Sequence, residues 1–201
     1  EPLAETLLDY REAKNRAGTY GAAWLAKHLH PVTGRVHADY LQLGSVAGRM
    51  SCTKPNTQNI PRSSHYRVAI RPSEGRALVK ADYSQIELRI AAVVADEANM
   101  LAAFRAGEDL HTLTASKVLG IPLDQVGKEQ RQLAKALNFG LLYGMGATAL
   151  RAYAATTYRV ALTEGEAKAH RRRFLQTYPG LERWHHRVGE QLESEGIVET
   201  R

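Results

Sequence analysis

The sequence predicts an α+β protein that is predominantly helical, with a few short antiparallel strands ahead of a run of helices. Apolar residues recur at intervals of three and four near the start of the chain and through much of its second half, which indicates amphipathic helices. Between residues 28 and 51 polar and apolar residues alternate over short distances, and proline or glycine interrupts the alternation. This pattern is typical of hairpin strands, so we expect a small antiparallel sheet.

The bulk composition narrows the class of protein. Of the 201 residues 44% are hydrophobic, and no apolar run is long enough to span a membrane, so we expect a soluble protein without a membrane partner. The formal net charge of +6 favours polyanionic partners such as nucleic acid. Cys52 is the only cysteine, which excludes an internal disulfide and indicates a reducing, cytoplasmic compartment. Because the sequence begins at Glu1 without a methionine or a signal pattern, we expect a segment of a longer polypeptide.

The first predicted elements are a helix over residues 3–14 and a strand over residues 36–43. The helix has apolar residues at helical spacing and is expected to end at Gly18, and ordinary packing explains it adequately. Its predicted buried positions are Leu3, Leu7, Leu8 and Tyr10. The strand is bounded by the glycines and proline of the alternating region.

A polar segment follows over residues 48–61, rich in amides and hydroxyls, with prolines that prevent a long helix. Asparagine and glutamine side chains both donate and accept, and arginine is a rigid donor, so such a loop can contact groove edges and phosphates. A capped surface loop explains the same residues. Arg62, Arg67 and Arg71 come next, and either phosphate contacts or an ordinary solvated strand face accounts for them.

Residues 76–83 are predicted to form a strand with Asp82 near its end, followed by a helix. The helix is indicated by the spacing of Ile86, Ile90, Val93 and Val94. A carboxylate at a strand-to-helix junction is either a helix cap or a magnesium ligand. Glu87 adds a second acid about one helical turn further on.

The second half is predicted to be helical throughout. One helix ends near Phe104 and is broken at Gly107, and the next begins at Asp109 and His111 and runs toward Leu119. His111 could donate to an anion, or simply cap or pack the helix. A capping box at residues 163–166 begins a further helix, in which the basic run 170–173 is interpreted as an exposed face. The last amphipathic helix carries Leu181, Trp184, Val188 and Leu192 and ends before Gly196.

Residues 131–144 form the most informative predicted helix, because its two faces differ in kind. One face is apolar and consists of Leu133, Ala136, Leu137, Gly140 and Leu141. The other face carries two cations followed by two aromatic rings at intervals of four: Arg131, Lys135, Phe139 and Tyr143. This second face suits a ligand with a polyanionic tail and a flat head, such as a nucleoside triphosphate.

Four segments resemble motifs of family A DNA polymerases, the DNA polymerase I family. Residues 82–89, Asp-Tyr-Ser-Gln-Ile-Glu-Leu-Arg, resemble the first catalytic motif, and the helix 131–144 resembles the nucleotide-binding helix of the fingers. Residues 48–61 are similar to the primer-template segment, and residues 109–112 to a further fingers segment. The four occur in the family's order with similar spacing across nearly the whole chain. Taken together, they favour the family interpretation over the capping, packing and solvated-surface alternatives given above for the individual segments.

The resemblance implies template-directed DNA synthesis, with roles in DNA replication and repair. Asp82 would be the catalytic carboxylate and, with Tyr83, would hold two Mg²⁺ ions. Arg131 and Lys135 would bind the triphosphate of the incoming dNTP, with His111 assisting. The other implied nucleotide-binding residues are Gln85, Glu87, which would obstruct a ribose 2′ hydroxyl, Phe139 against the sugar, and Tyr143 near the templating base. The residues implied to bind primer-template DNA along its minor groove are Arg49, Asn56, Gln58 and Asn59.

The resemblance also implies a domain organisation and bears on whether the 201-residue polypeptide is active by itself. Residues 1–20 would be a helix at the thumb/palm junction, residues 21–95 a partial palm, and residues 96–201 the fingers. The sequence shows no His-Asp-Glu segment, the family's second catalytic motif, before Arg201. We therefore expect the 201-residue polypeptide to be inactive by itself. The alternative hypothesis is a non-catalytic nucleotide- or DNA-binding module, or a split subunit that needs a second chain to supply the missing palm.

Overall fold

A computed structural model describes residues 2–61 and 63–196 of the chain. The chain divides into two compact units, Glu1–Lys80 and Ala81–Arg201. The described residues are mostly helical and contain one two-stranded antiparallel sheet, which confirms the predicted fold class. The interpretation of Arg62 falls outside the described residues, and the palm and fingers boundaries stay a prediction. No helix in the described ranges combines the length and the apolar character needed to cross a bilayer.

The first unit joins a helical arm to a small sheet. Its elements are α1 (Pro2–Tyr20), α2 (Ala22–His28), β1 (Asp39–Leu41), β2 (Ser51–Thr53), a 3-10 turn (Thr57–Asn59) and α3 (Ser64–Arg67). Strands β1 and β2 pair antiparallel, with Tyr40 opposite Cys52. Cys52 and Pro55 are the only buried side chains in the described part of this unit, so the unit has little interior of its own.

Two strand predictions in the first half of the chain were wrong: one strand is shorter than predicted, and the other is not a strand. The strand expected over 36–43 shortens to β1, and its partner β2 lies inside the segment that was expected to be a loop. Residues 76–83, expected to form a strand, have no strand assignment. A strand is defined by hydrogen bonds to a neighbour, and the described residues provide no such ladder there.

Helix α1 is confirmed as a helix, but its predicted buried face is wrong. Leu3, Leu7, Leu8 and Tyr10 are all exposed, Leu3 by 82%. The helix also continues through Gly18 to Tyr20. Within its unit α1 packs mainly on the seven-residue α2, which is too short to cover the apolar positions along its length.

The second unit is a bundle of seven helices in the described ranges. They are α4 (Ile86–Val94), α5 (Ala98–Arg105), α6 (Leu110–Leu119), α7 (Lys128–Leu142), α8 (Ala147–Tyr158), α9 (Glu164–Thr177) and α10 (Pro179–Glu195). Helix α7 is central, because α4, α6, α8 and α9 all pack against it. Leu137 and Leu141 of α7 are buried in the core with Leu150 of α8 and Phe174 of α9. The predicted capping box at the start of α9 is confirmed, with Thr163 and Glu166 bonded to each other's backbone.

The buried side of helix α4 is not formed by the apolar residues whose spacing predicted the helix. Leu88, Ala91 and Ala92 are buried. The larger apolar residues that predicted the helix, Ile86, Ile90, Val93 and Val94, are 42–66% exposed. Leu88 packs in the core, and the small side chains of Ala91 and Ala92 let α4 approach its neighbours closely. The β-branched residues remain as an apolar stripe on the surface.

A buried carboxylate fixes the start of two helices in the bundle. Glu97 is 1% exposed and accepts hydrogen bonds from the backbone N–H groups of Asn99 and Gly180. It therefore satisfies N–H groups at the starts of α5 and α10, which helices leave without partners. A Cβ at Gly180 would lie 2.7 Å from Glu97 Oε2 and 3.0 Å from the Ala95 carbonyl oxygen.

We therefore expect Gly180→Ala to lower the free energy of unfolding by about 1–3 kcal/mol, because backbone atoms as well as Glu97 must move. Gly189→Ala on the same helix is the matched control, since nothing lies within 4 Å of its added Cβ and alanine favours a helix by up to about 1 kcal/mol. Urea unfolding of both variants measures the difference. Equal stability of the two variants would contradict the close packing at Gly180.

Candidate functional site

Helix α7 presents the two faces that its sequence predicts. Ala136, Leu137, Gly140 and Leu141 are buried and Leu133 is partly buried against the core. On the other side Arg131, Lys135 and Phe139 are half-buried, and Tyr143, just beyond the last helical residue, is 63% exposed. The cation and ring face is therefore accessible to a ligand while the helix stays anchored in the bundle.

Asp109 connects this face to two other elements. It is the N-cap of α6 and accepts the backbone N–H of His111 at 3.0 Å. Arg131 Nε donates to its Oδ2 at 2.7 Å, and Gln85 Nε2 donates to its Oδ1 at 3.3 Å. Partial burial opposes ionisation of the carboxyl, but the hydrogen bonds from Arg131 and His111 outweigh it and lower the pKa of Asp109. One carboxylate thus holds together the starts of α4, α6 and α7.

His111 is buried in a chain of polar side chains. Asn138 Nδ2 lies 2.8 Å from His111 Nδ1, and Thr114 Oγ1 donates to Asn138 Oδ1 at 3.0 Å. Tyr178 Oη lies 2.7 Å from Thr114 Oγ1. Because the amide nitrogen of Asn138 is only a donor, His111 Nδ1 accepts and Nε2 carries the proton. His111 is therefore a neutral hydrogen-bond donor, and its ring also packs on Phe139 at 5.7 Å between centroids.

The pKa of His111 follows from this environment. Burial is the main cause that lowers it to about 4; the charge of Asp109 opposes the shift, and the charges of Arg131 and Lys135 add to it. The ordinary value of 6.5 applies to the unfolded chain, so between these two pH values the unfolded state binds more protons. Stability contributed by neutral His111 is complete above pH 6.5 and is lost as the pH falls toward 4.

We expect the free energy of unfolding to fall by up to about 3 kcal/mol across this window because of His111 alone. The measurement is urea unfolding at a series of pH values for the chain and for His111→Gln. The difference between the two stabilities should shrink as the pH is lowered from 7 to 4. Parallel stability curves for the two proteins would contradict the lowered pKa.

Gln85 is held in a strained state at the start of α4. It is the N-cap residue and adopts φ +54°, in the left-handed region that non-glycine residues seldom occupy. Its Oε1 is buried and has no hydrogen-bond partner among the described residues. Strained backbones and unsatisfied buried acceptors are concentrated at ligand sites, so Gln85 offers a donor ligand a ready acceptor.

Glu87 and Tyr143 are brought together from α4 and from the end of α7. Tyr143 Oη donates to Glu87 Oε2 at 3.2 Å. Gly144, the next residue, has φ +71° and turns the chain away. The contact places a carboxylate beside the aromatic end of the α7 face, where the sequence predicts the sugar and base of a nucleotide.

Asp82 and Tyr83 are exposed ahead of α4. Gln85, not Asp82, is the N-cap of that helix, so the capping alternative for Asp82 is not supported. Within the described ranges no three histidine, cysteine or acidic side chains come together as a potential metal site. Carboxylate and carbonyl oxygens are the donors that Mg²⁺ prefers, and Mg²⁺ commonly binds one carboxylate together with substrate phosphates. The donors present therefore fit Mg²⁺ in type.

The four predicted DNA-binding residues lie on the exposed surface of the first unit. Asn56 caps the 3-10 turn by accepting the Gln58 N–H at 3.0 Å, and Gln58 Nε2 donates to the Met50 carbonyl oxygen at 3.3 Å. The loop is further held by the Thr57 N–H on Cys52 Sγ at 3.4 Å. Its conformation is therefore fixed by its own side chains, while Arg49 and Asn59 are exposed on it.

Several residues that build this site were not predicted from the sequence. Asp109 was expected as a helix start and as part of a segment similar to a fingers motif, without a contact to Arg131, and Asn138, Thr114 and Tyr178 had no predicted role. Their contacts join positions 22 to 64 residues apart. The one available signal was the Asp109 and His111 pair at a helix N-terminus, because a capping aspartate can also accept from a distant arginine.

Comparisons with known proteins identify similar chains. The structure matches the POL domain of Pol1 from M. smegmatis in complex with DNA primer-template and dNTP, with a TM-score of 0.85, 34% identity and 99% of this chain covered against 34% of that chain. DNA polymerase I of Aquifex aeolicus is 45% identical over 174 residues, which are 87% of this chain and 30% of the relative. Thermostable DNA polymerase I of Thermus aquaticus is 38% identical over 203 residues, 99% of this chain and 24% of the relative.

These similarities place the chain in the class of DNA polymerases. The sequence model of DNA polymerase family A matches residues 1–201, and the chain belongs to that family. It spans about a quarter to a third of the length of these relatives. The predicted family membership is therefore confirmed.

Proposed function

We propose that this segment belongs to a DNA-directed DNA polymerase that transfers dNMP from a dNTP to a primer 3′ hydroxyl, and that its α7 face binds the incoming dNTP. The observation that carries the proposal is that several residues proposed to bind it are linked to one another within one helical unit. Asp109 accepts hydrogen bonds from the Gln85 side chain, the His111 backbone N–H and the Arg131 side chain. The ring of Phe139 contacts the ring of His111. These residues combine phosphate donors with a ring surface, which is what a triphosphate joined to a nucleoside requires.

The proposed binding roles follow the order of the groups along the face. Arg131 uses Nε for Asp109, so its terminal Nη groups can donate to phosphate oxygens, as can the ammonium of Lys135. Neutral His111 adds a donor without a charge. Phe139 packs on the sugar, while Glu87 lies where a ribose 2′ hydroxyl would stand and favours deoxynucleotides. These cations also neutralise the charge that develops on the leaving pyrophosphate.

Asp82, with the carbonyl oxygen of Tyr83, would hold Mg²⁺. Two bound ions would supply charge stabilisation at the attacking and leaving oxygens of an in-line displacement. The second carboxylate that such a pair requires would come from another segment of the polymerase. Arg49, Asn56, Gln58 and Asn59 would contact the minor groove of primer-template DNA, whose acceptors are similar for all base pairs.

The test is primer extension with dNTP and Mg²⁺. A complete polypeptide that carries this segment should extend a primer according to its template, and the 201-residue polypeptide by itself should not. Extension by the 201-residue polypeptide would overturn the requirement for a second carboxylate. A complete polypeptide without any extension would overturn the proposed activity.

A non-catalytic role as a subunit that docks a second chain is the other candidate. The observation that favours it is the apolar stripe of Ile86, Ile90, Val93 and Val94 on α4, since contiguous exposed apolar surface commonly marks an interface. Co-purification of a separate chain that restores primer extension would distinguish this candidate from a single complete polypeptide.

A further inference from the structure

A cavity of about 430 Å³ lies in the first unit between the junction of α1 with α2 and the loop that follows β2. Its volume is in the range of small-ligand clefts. The residues that line it and enter the argument are Tyr20, Trp24, Lys27, Lys54, Asn56 and Asn59. Only the two asparagines among them belong to the predicted DNA-binding residues.

One wall of the cavity is aromatic, and its rings contact neighbouring rings. The rings of Tyr20 and Trp24 meet edge to face at 5.9 Å between centroids, and Tyr20 meets Tyr66 in the same way at 5.8 Å. Trp24 also contacts the ring of His28 at 5.2 Å. Trp24 is only half-buried, so its ring is accessible to a flat ligand.

The rest of the cavity lining is positive and polar. Lys27 and Lys54 are both exposed at its rim, and none of the described residues that line it is acidic. Lys54 adopts φ +52°, a strained backbone of the kind found at ligand sites. Asn56 and Asn59 add amide donors and acceptors. An aromatic wall beside two ammonium groups suits a flat ring that carries a phosphate.

The ligand must present a free ring face. In a duplex both faces of each base are covered by neighbouring base pairs, whereas an unpaired base can stack on an aromatic side chain. We propose that this cavity binds one unpaired nucleotide of a DNA strand, with its base on Trp24 and its phosphates between Lys27 and Lys54. The proposal rests on the proposed function for the choice of DNA as the polymer.

The experiment uses the fluorescence of Trp24. The chain has two tryptophans, so Trp184→Phe leaves Trp24 as the only one. Titration with a short oligothymidylate should quench this fluorescence more strongly than a blunt duplex does, because paired bases cannot stack on the ring. In anisotropy titrations Trp24→Leu should weaken oligothymidylate binding roughly 5- to 100-fold, and Trp24→Phe should retain most of it.

Charge variants test the phosphate contacts. Lys27→Ala should weaken binding and reduce the slope of log K against log salt by roughly 0.7, the value for one phosphate contact on a single strand. Lys168→Ala is the matched control, because Lys168 pairs with Glu164 on α9 and its loss changes the net charge equally. Because Lys27 is exposed, this comparison holds even if Trp24→Leu fails to fold.

The outcomes separate this inference from the proposed function. No quenching by oligothymidylate, or equal effects of the Lys27 and Lys168 variants, would overturn the cavity assignment, while duplex binding could still support the proposed function. Quenching without any duplex binding would support the cavity and count against the proposed primer-template contacts.

Discussion

Asp82→Asn is expected to reduce primer extension about 10³-fold or more in a complete polypeptide that carries this segment. Metal-assisted stabilisation of a phosphoryl transition state contributes several kcal/mol, and each 1.36 kcal/mol corresponds to a factor of ten in rate. Replacing the carboxylate by an amide keeps the shape of the side chain but removes the charge that binds Mg²⁺. Steady-state extension rates with saturating primer-template and dNTP measure the effect.

The position of Asp82 makes this experiment interpretable. The side chain is exposed, and within the described ranges no hydrogen bond or ion pair engages it. The substitution should therefore leave the free energy of unfolding and the affinity for primer-template nearly unchanged. Asp124→Asn, at another exposed acid of the same unit, is the control for loss of one negative charge. A variant that retains a tenth or more of the extension rate would remove Asp82 from the metal site.

The central helix was predictable because its two faces follow from spacing alone. The period of 3.6 residues separates Leu137 and Leu141 from Arg131 and Lys135 whatever the rest of the fold, and α7 buries the first pair and leaves the second half-exposed. The ends of α6 and α10 were predictable from glycine, since Gly120 and Gly196 adopt φ +71°, as helix ends commonly require.

The wrong and missed predictions have a common physical cause. Side-chain burial, strand pairing and ion pairing all depend on partners far away in the sequence. Residues 76–83 have a β-type composition, but a strand needs a ladder to a neighbour. Leu3 and Leu7 have helical spacing, but spacing does not say whether anything covers them. The contact of Asp109 with Arg131 joins two helices, and no local pattern contains it. Sequence periodicity therefore predicted the face of α7 proposed to bind nucleotide, but not the contact of Arg131 with the Asp109 carboxylate.

Lys135→Ala is expected to raise the Kd for dNTP roughly 10- to 100-fold, because a hydrogen bond to a charged phosphate contributes about 1.5–3 kcal/mol. Lys128→Ala is the matched control: Lys128 is the first residue of the same helix and is exposed, so the net charge falls equally. Equilibrium titration with dNTP measures both variants. Equal weakening by the two substitutions would show only a general charge effect and would contradict direct contact with the triphosphate.

A second readout of the same variant does not depend on nucleotide. The positive charge of Lys135 contributes to the lowered pKa of His111, so Lys135→Ala should raise that pKa, whereas Lys128→Ala should not. Proton NMR titration of the His111 ring measures this in the absence of dNTP. A shifted pKa together with unchanged dNTP affinity would mean that Lys135 lies beside His111 without binding phosphate. If both quantities change, the charge of Lys135 acts on the His111 imidazole, as a smaller contribution than burial, and on the triphosphate as well.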